Sequence, residues 1–132
     1  MKKILVVEDS LERMDRIESY FSGFKGYDWA KSASVAISLL KTNEYDFILL
    51  DHDLEEEHYK TQFFGKGTGI EVVDFIVANT IPLKGAVVHS LNPVGRESMM
   101  RTLKRHGYDV IGKPSFWDGR YGGLVLKFCE VI

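Results

Sequence analysis

The sequence predicts an α/β domain in which a five-stranded parallel sheet is doubly wound by helices in a (βα)5 arrangement. Two observations predict it. Short apolar runs alternate five times with segments of helical spacing, the pattern that builds a parallel sheet covered on both faces. The clearest runs are apolar throughout rather than every second residue, as buried parallel strands are.

The elements follow in chain order. Ile4-Leu5-Val6-Val7 forms the first strand and stops at Glu8-Asp9-Ser10. Ser10 is a suitable N-cap, and Leu11, Met14, Ile17 and Phe21 follow at helical spacing. Gly23 and Gly26 end that helix, and Tyr27–Ala30 supplies a short second strand. Ser34 is placed to cap a helix carrying Val35, Ile37, Leu39 and Leu40, ending near Asn43. Phe47-Ile48-Leu49-Leu50 is the clearest strand and runs directly into Asp51-His52-Asp53. Leu54–Gly67 reads as a polar, charged loop. Thr68 and Glu71 have capping-box spacing, and Val72, Val73, Ile76 and Val77 give the next helix its apolar face. Ala86–Val88 is the fourth strand, ending at His89-Ser90. Asn92-Pro93 places an N-cap before a first-turn proline, opening a helix to about His106 with Gly107 as its stop. Tyr108–Ile111 is the fifth strand, followed by Gly112-Lys113-Pro114. Leu124–Ile132 is a short last helix, although Gly119, Gly122 and Gly123 before it oppose that reading.

Composition bounds the function. The chain of 132 residues suits one domain, spanning 1–132. Its 45% apolar and 27% charged residues are those of a globular protein. A net charge of −2 gives no bulk attraction to nucleic acid. The single Cys129 cannot form an internal disulfide, no signal-peptide pattern opens the chain, and no apolar run reaches the ~20 residues of a membrane span. A cytoplasmic protein with no membrane partner is expected.

The strand ends carry the chemistry. In such sheets ligands bind beyond the carboxyl ends of the strands. There the sequence puts Glu8 and Asp9, then Asp51, His52 and Asp53, then His89, Ser90 and Asn92, then Lys113. Four carboxylates brought together repel one another unless a cation joins them. Oxygen donors suit Mg2+, or its substitute Mn2+, which retains waters that a phosphate can replace. A lysine, a hydroxyl donor and a carboxylate able to act as nucleophile complete the equipment for phosphoryl transfer.

The chain resembles the receiver domains of response regulators, of flavodoxin-like fold, from Ile4 to about Phe116. The resemblance rests on Ile4-Leu5-Val6-Val7-Glu8-Asp9-Ser10, on Tyr45-Asp46-Phe47-Ile48-Leu49-Leu50-Asp51, on Ser90 and on Lys113-Pro114. It implies that Glu8 and Asp9 hold Mg2+, that Asp51 is a phosphoacceptor and that Asp53 lends its main-chain carbonyl to the metal. It implies that Ser90 is a switch hydroxyl, that Lys113 contacts the phosphoryl group and that a cis peptide precedes Pro114. A phosphodonor, a histidine kinase or an output protein would then be the partner.

The sequence also departs from that pattern. Glu55 stands where receivers carry a proline, and the following loop is long. His52, His89 and Asn92 add polar groups that signalling does not require. Asp51-His52-Asp53-Leu54, with His89-Ser90-Leu91-Asn92-Pro93 and Met99, is similar to a variant branch, the cyclic-phosphate-processing receiver-like proteins proposed to act in RNA-end repair and often carried by phages. That resemblance implies a phosphate-bearing substrate such as an RNA 3′ end. His52, His89 and the long loop before Thr68 give Asp51 a second reading, as a metal ligand for substrate chemistry rather than a phosphoacceptor.

Several residues have two readings. His52 is a rim residue or an acid–base group. His89 is costly at a buried strand end without a partner, and with His52 it can carry acid–base chemistry near neutral pH. Asn92 is a helix cap before it is a substrate contact. Asp53 is a turn residue or a ligand. Phe63-Phe64 and Trp117, Arg120 and Tyr121 either tuck into the core or offer a stacking surface to a base.

Overall fold

The computed structural model describes residues 3–21, 23–52, 54, 68–113 and 122–130, and all structural statements below concern these. They form β1 (Ile4–Val7), α1 (Leu11–Phe21), β2 (Tyr27–Ala30), α2 (Ala33–Thr42), β3 (Phe47–Leu50), α3 (Gly69–Ala78), β4 (Gly85–His89), α4 (Pro93–Arg105), β5 (Val110–Lys113) and α5 (Gly122–Phe128). The five strands pair in parallel in the order β2-β1-β3-β4-β5. The predicted doubly wound sheet is therefore present.

Two buried clusters lie on opposite faces, because successive strand residues point to opposite sides. Leu5, Val7, Ile48, Leu50, Ala86 and Val88 meet Ala36 and Leu40 of α2, Val72 and Ile76 of α3, and Met99 and Leu103 of α4. Ile4, Val6, Phe47, Leu49 and Val87 meet Met14, Ile17 and Phe21 of α1, and Val125 and Leu126 of α5. Three helices thus cover one face and two the other. The chain reverses its direction of winding between β1 and β3, which makes the crevice beyond their carboxyl ends the natural ligand position.

Some local expectations change. Leu11 is 65% exposed, so α1 docks through Met14, Ile17 and Phe21, with half-buried Tyr20 packed beside them. Ser32, not Ser34, caps α2: its hydroxyl accepts from Val35 N, and Ala33, Ala36 and Leu40 form the buried stripe. The cap thus falls two residues earlier and turns Val35 toward solvent. β5 runs two residues later than expected, over Val110–Lys113, because Gly107 takes a positive φ of 89° and Tyr108 is drawn aside to donate to the carbonyl of Ile81. The last helix starts at Gly122, where a side chain would collide with the ring of Tyr20. That glycine permits close packing rather than breaking the helix. Leu54, expected at the start of a loop, is buried in the α2–α4 cluster. The remainder of the 55–67 loop, with Phe63 and Phe64, lies outside the described residues, as do Asp53, Pro114, Trp117, Arg120 and Tyr121. No helix among the described residues is long and apolar enough to cross a membrane.

Candidate functional site

Glu8, Asp9 and Asp51 meet at the crevice. β1 and β3 are paired in register from Ile4↔Phe47 to Val7↔Leu50, so their ends are level. The main-chain N–H of Asp51 donates to the carbonyl of Val7 (3.2 Å), which carries that pairing one step past the strands. One oxygen from each of the three carboxylates lies within 4.8 Å of the others. Glu8 is fully buried and Asp51 nearly so. Glu8 is also tethered through its main chain: its N–H donates to Ala30 O (3.0 Å), and its carbonyl accepts from the indole of Trp29 (2.7 Å).

Three carboxylates this close need a counter-charge, and Arg13 supplies it. Its Nε donates to Glu8 Oε1 (2.9 Å). Its Nη2 reaches Glu8 Oε2 (3.0 Å), Asp9 Oδ1 (3.3 Å) and Asp51 Oδ2 (3.2 Å). This is the bidentate fork that guanidinium groups make with carboxylates, extended to two further acids. Burial pushes the Glu8 carboxyl above its ordinary value, while Arg13 and the Ser10 N–H, which donates to Oε2 (3.0 Å), pull it back. The hydrogen bonds to Glu8 in turn hold Arg13 more firmly protonated than usual. Sequence reading missed Arg13. The available signal was a cation in the first turn of a helix, where the dipole favours anions, four residues after Asp9.

The β4 side is built differently. His89 is buried, with Nδ1 3.9 Å from Glu8 Oε1. Burial first, and Arg13 second, push its pKa down to about 3, so the ring is neutral at ordinary pH. Ser90 is buried as well. Its hydroxyl accepts from Asn92 N (3.0 Å), its N–H donates to Lys113 O (3.1 Å), and its carbonyl accepts from Arg96 Nη1 (2.6 Å). Lys113 is the register partner of His89, so β5 ends beside this turn. Asn92 is the N-cap of α4: its Oδ1 accepts from Gly95 N (3.0 Å). Its amide nitrogen then faces His52 Nδ1 at 3.5 Å. His52 is buried, not on the rim, and its ring lies where a Cβ on Gly95 would sit. Its carbonyl accepts from Gly69 N (2.8 Å), which ties it to the start of α3. Arg96 and Gly95 were also missed; an arginine and a glycine in the first turn of α4 were the visible signals.

The predicted residues therefore divide. Glu8, Asp9 and Asp51 converge, His89 stands behind Glu8, and His52 with Asn92 and Ser90 forms the wall at the start of α4. Asp53 lies outside the described residues. The donor set suits a hard divalent cation, since it is all carboxylate oxygen and already attracts a positive group.

The profile of a family described as cyclic-phosphate processing receiver domain matches residues 4–105, well over half of the chain. The chain belongs to that family. Solved receivers share the fold. The signal receiver domain of a putative Luxo repressor protein from Vibrio parahaemolyticus is 22% identical, with a TM-score of 0.65 over 98% of this chain and 92% of that one. A CheY-like response regulator receiver domain protein from Methanospirillum hungatei JF-1 is 16% identical, with a TM-score of 0.68 over 99% and 96%. The phosphorylated cyanobacterial phytochrome response regulator RcpA is 20% identical, with a TM-score of 0.69 over 98% and 91%. A search of curated proteins found no match. The receiver fold explains why the acidic group forms: it unites the ends of β1 and β3 at the switch of winding.

Proposed function

We propose that this receiver-like domain binds a divalent cation of the Mg2+ class and uses it to process a phosphoester, with the cyclic phosphate of an RNA 3′ end as the preferred substrate class. The observation that carries this reading is the cluster of Glu8, Asp9 and Asp51 at one point of the sheet edge, in a chain of the cyclic-phosphate processing family. Those three residues would hold the cation, with Asp53 as a further ligand. When bound, the metal would polarise phosphoryl oxygens and offset their charge.

The chain's own groups have separable tasks. Ring opening adds water across one P–O bond, so one proton leaves water and one reaches the ribose oxygen. His52, next to Asp51 and fixed against Gly95, is the proposed proton-transfer residue. His89, whose charging is opposed by burial, positions Glu8 from behind. Ser90 and Lys113 border the same edge and are proposed to contact the phosphoryl oxygens. Asn92 fixes His52 rather than touching substrate.

The test is hydrolysis of 2′,3′-cyclic nucleotides and of RNA ending in a cyclic phosphate, with Mg2+, with Mn2+ and with chelator. Wild type should turn over only with metal, and His52→Ala should lose about 100-fold, in the range for a general acid–base group. Lack of turnover on every cyclic and linear phosphoester would remove the enzymatic reading.

The receiver fold, matched over almost the whole chain by phosphorylated RcpA among others, favours a second reading. In it Asp51 accepts phosphate from a small phosphodonor or a histidine kinase, and the change is passed to an output protein. Incubation with acetyl phosphate and Mg2+ should then add one phosphate to wild type and none to Asp51→Asn. An unchanged mass for wild type would exclude it.

A further inference from the structure

We infer that Arg13 is an internal cation that occupies the metal seat of the pocket, so that divalent binding requires its displacement. This rests on the metal-binding part of the proposed function and adds how that site is regulated.

One nitrogen, Arg13 Nη2, lies within hydrogen-bond distance of an oxygen from each of Glu8, Asp9 and Asp51. These are the same three residues that form the acidic cluster. A guanidinium nitrogen and a divalent ion cannot share that point. The distances, 3.0 to 3.3 Å, are those of N–H···O bonds, whereas Mg2+ takes its oxygens at about 2.0–2.1 Å. Exchange therefore means that Arg13 leaves and the carboxylates draw inward.

Two features let Arg13 leave. It is 39% exposed, so its guanidinium has solvent to enter. It also sits in the first turn of α1, where the helix dipole disfavours a cation and where, among the described residues, the acids hold its guanidinium. Arg16, one turn further on, provides the contrast. It pairs with exposed Glu12 (2.9 Å) and touches none of the pocket acids. Removing either arginine changes net charge equally, but only one removal empties the seat.

The test titrates Mn2+ into phosphate-free protein by calorimetry, with thermal melting in chelator and in Mn2+ as a second readout. Arg13→Met should bind Mn2+ roughly tenfold more tightly than wild type, within the usual range of coupling between two binding events. It should also melt lower than wild type in chelator and gain more on adding Mn2+. Arg13→Lys, which keeps a charge but loses the fork, should fall between the two and serves if the methionine variant does not fold. Arg16→Met should stay within about twofold of wild type, since exposed charges act weakly at this range. Equal affinities for wild type, Arg13→Met and Arg13→Lys would overturn the inference and leave the metal site standing. No Mn2+ binding by any variant would overturn both.

Discussion

The two helix starts that flank the crevice solve the same problem in opposite ways. At the start of α1, Glu8 and Asp9 are held by the charge of Arg13. At the start of α4, His52, Ser90 and Asn92 are held by hydrogen bonds, one of them from Arg96 to the Ser90 carbonyl and none to an acid, and by the space that Gly95 leaves open. The first side is electrostatic, with a half-exposed cation among the acids. The second is steric and fixed by main-chain geometry. The proposed binding of a cation and a phosphate would benefit from this division, because the wall would keep its shape while the charge changes.

The largest effect should come from breaking the charged side at its buried member. Glu8→Ala leaves Arg13 facing Asp9 and Asp51 alone and opens a hole beneath it. A loss of about 3 kcal/mol in unfolding free energy is expected from urea titration, near the lower end for a broken buried pair because Arg13 can still reach water. A loss below about 1 kcal/mol would mean the fork contributes little.

The α4 side should fail by crowding instead. A Cβ on Gly95 would collide with the His52 ring. Gly95→Ala should therefore cost about 1–3 kcal/mol, and His52→Ala should relieve most of that cost in the double variant. Simple additivity of the two losses would show that they do not touch.

The two sides should also separate on acidification. Burial holds His89 unprotonated, with a pKa of about 3 against an ordinary value of 6.5. Between those values the unfolded chain carries a proton here that the folded chain does not, so this group's contribution is lost as pH falls from about 6.5 toward 3. Glu8 acts oppositely, because its folded value is raised: above 4.5 its contribution falls as pH rises. Comparing wild type with His89→Gln isolates the histidine. The stability gap between them should be wider at pH 7.5 than at pH 5, and a constant gap would show that His89 takes up its proton in the fold as readily as in the unfolded chain.

The smallest effect belongs to the cap. Asn92→Ala should cost about 1 kcal/mol, and Asn92→Ser should recover part of it. If Asn92→Ser recovers stability but not hydrolysis of a cyclic nucleotide, the contact with His52 matters beyond capping.

The strands, their parallel arrangement and the polar residues at their ends were legible in the sequence, because an apolar run followed by a charged residue is a local pattern. Glu8, Asp9, Asp51, His89 and Ser90 were found that way. The cap of α2 was misassigned to Ser34 because Ser32 and Ser34 satisfy the same local rule, and only the docked helix decides between them. Arg13, Arg96 and Gly95 were not legible as site residues. Arg13 meets Asp51 across 38 positions and His52 meets Asn92 across 40, and no local pattern encodes such pairings. The sequence by itself determined which chemistry reaches the edge of the sheet. Tertiary structure alone decided which cation sits among the acids, that His89 is buried and neutral, and that His52 rests on a glycine, because each depends on which strand lies beside which.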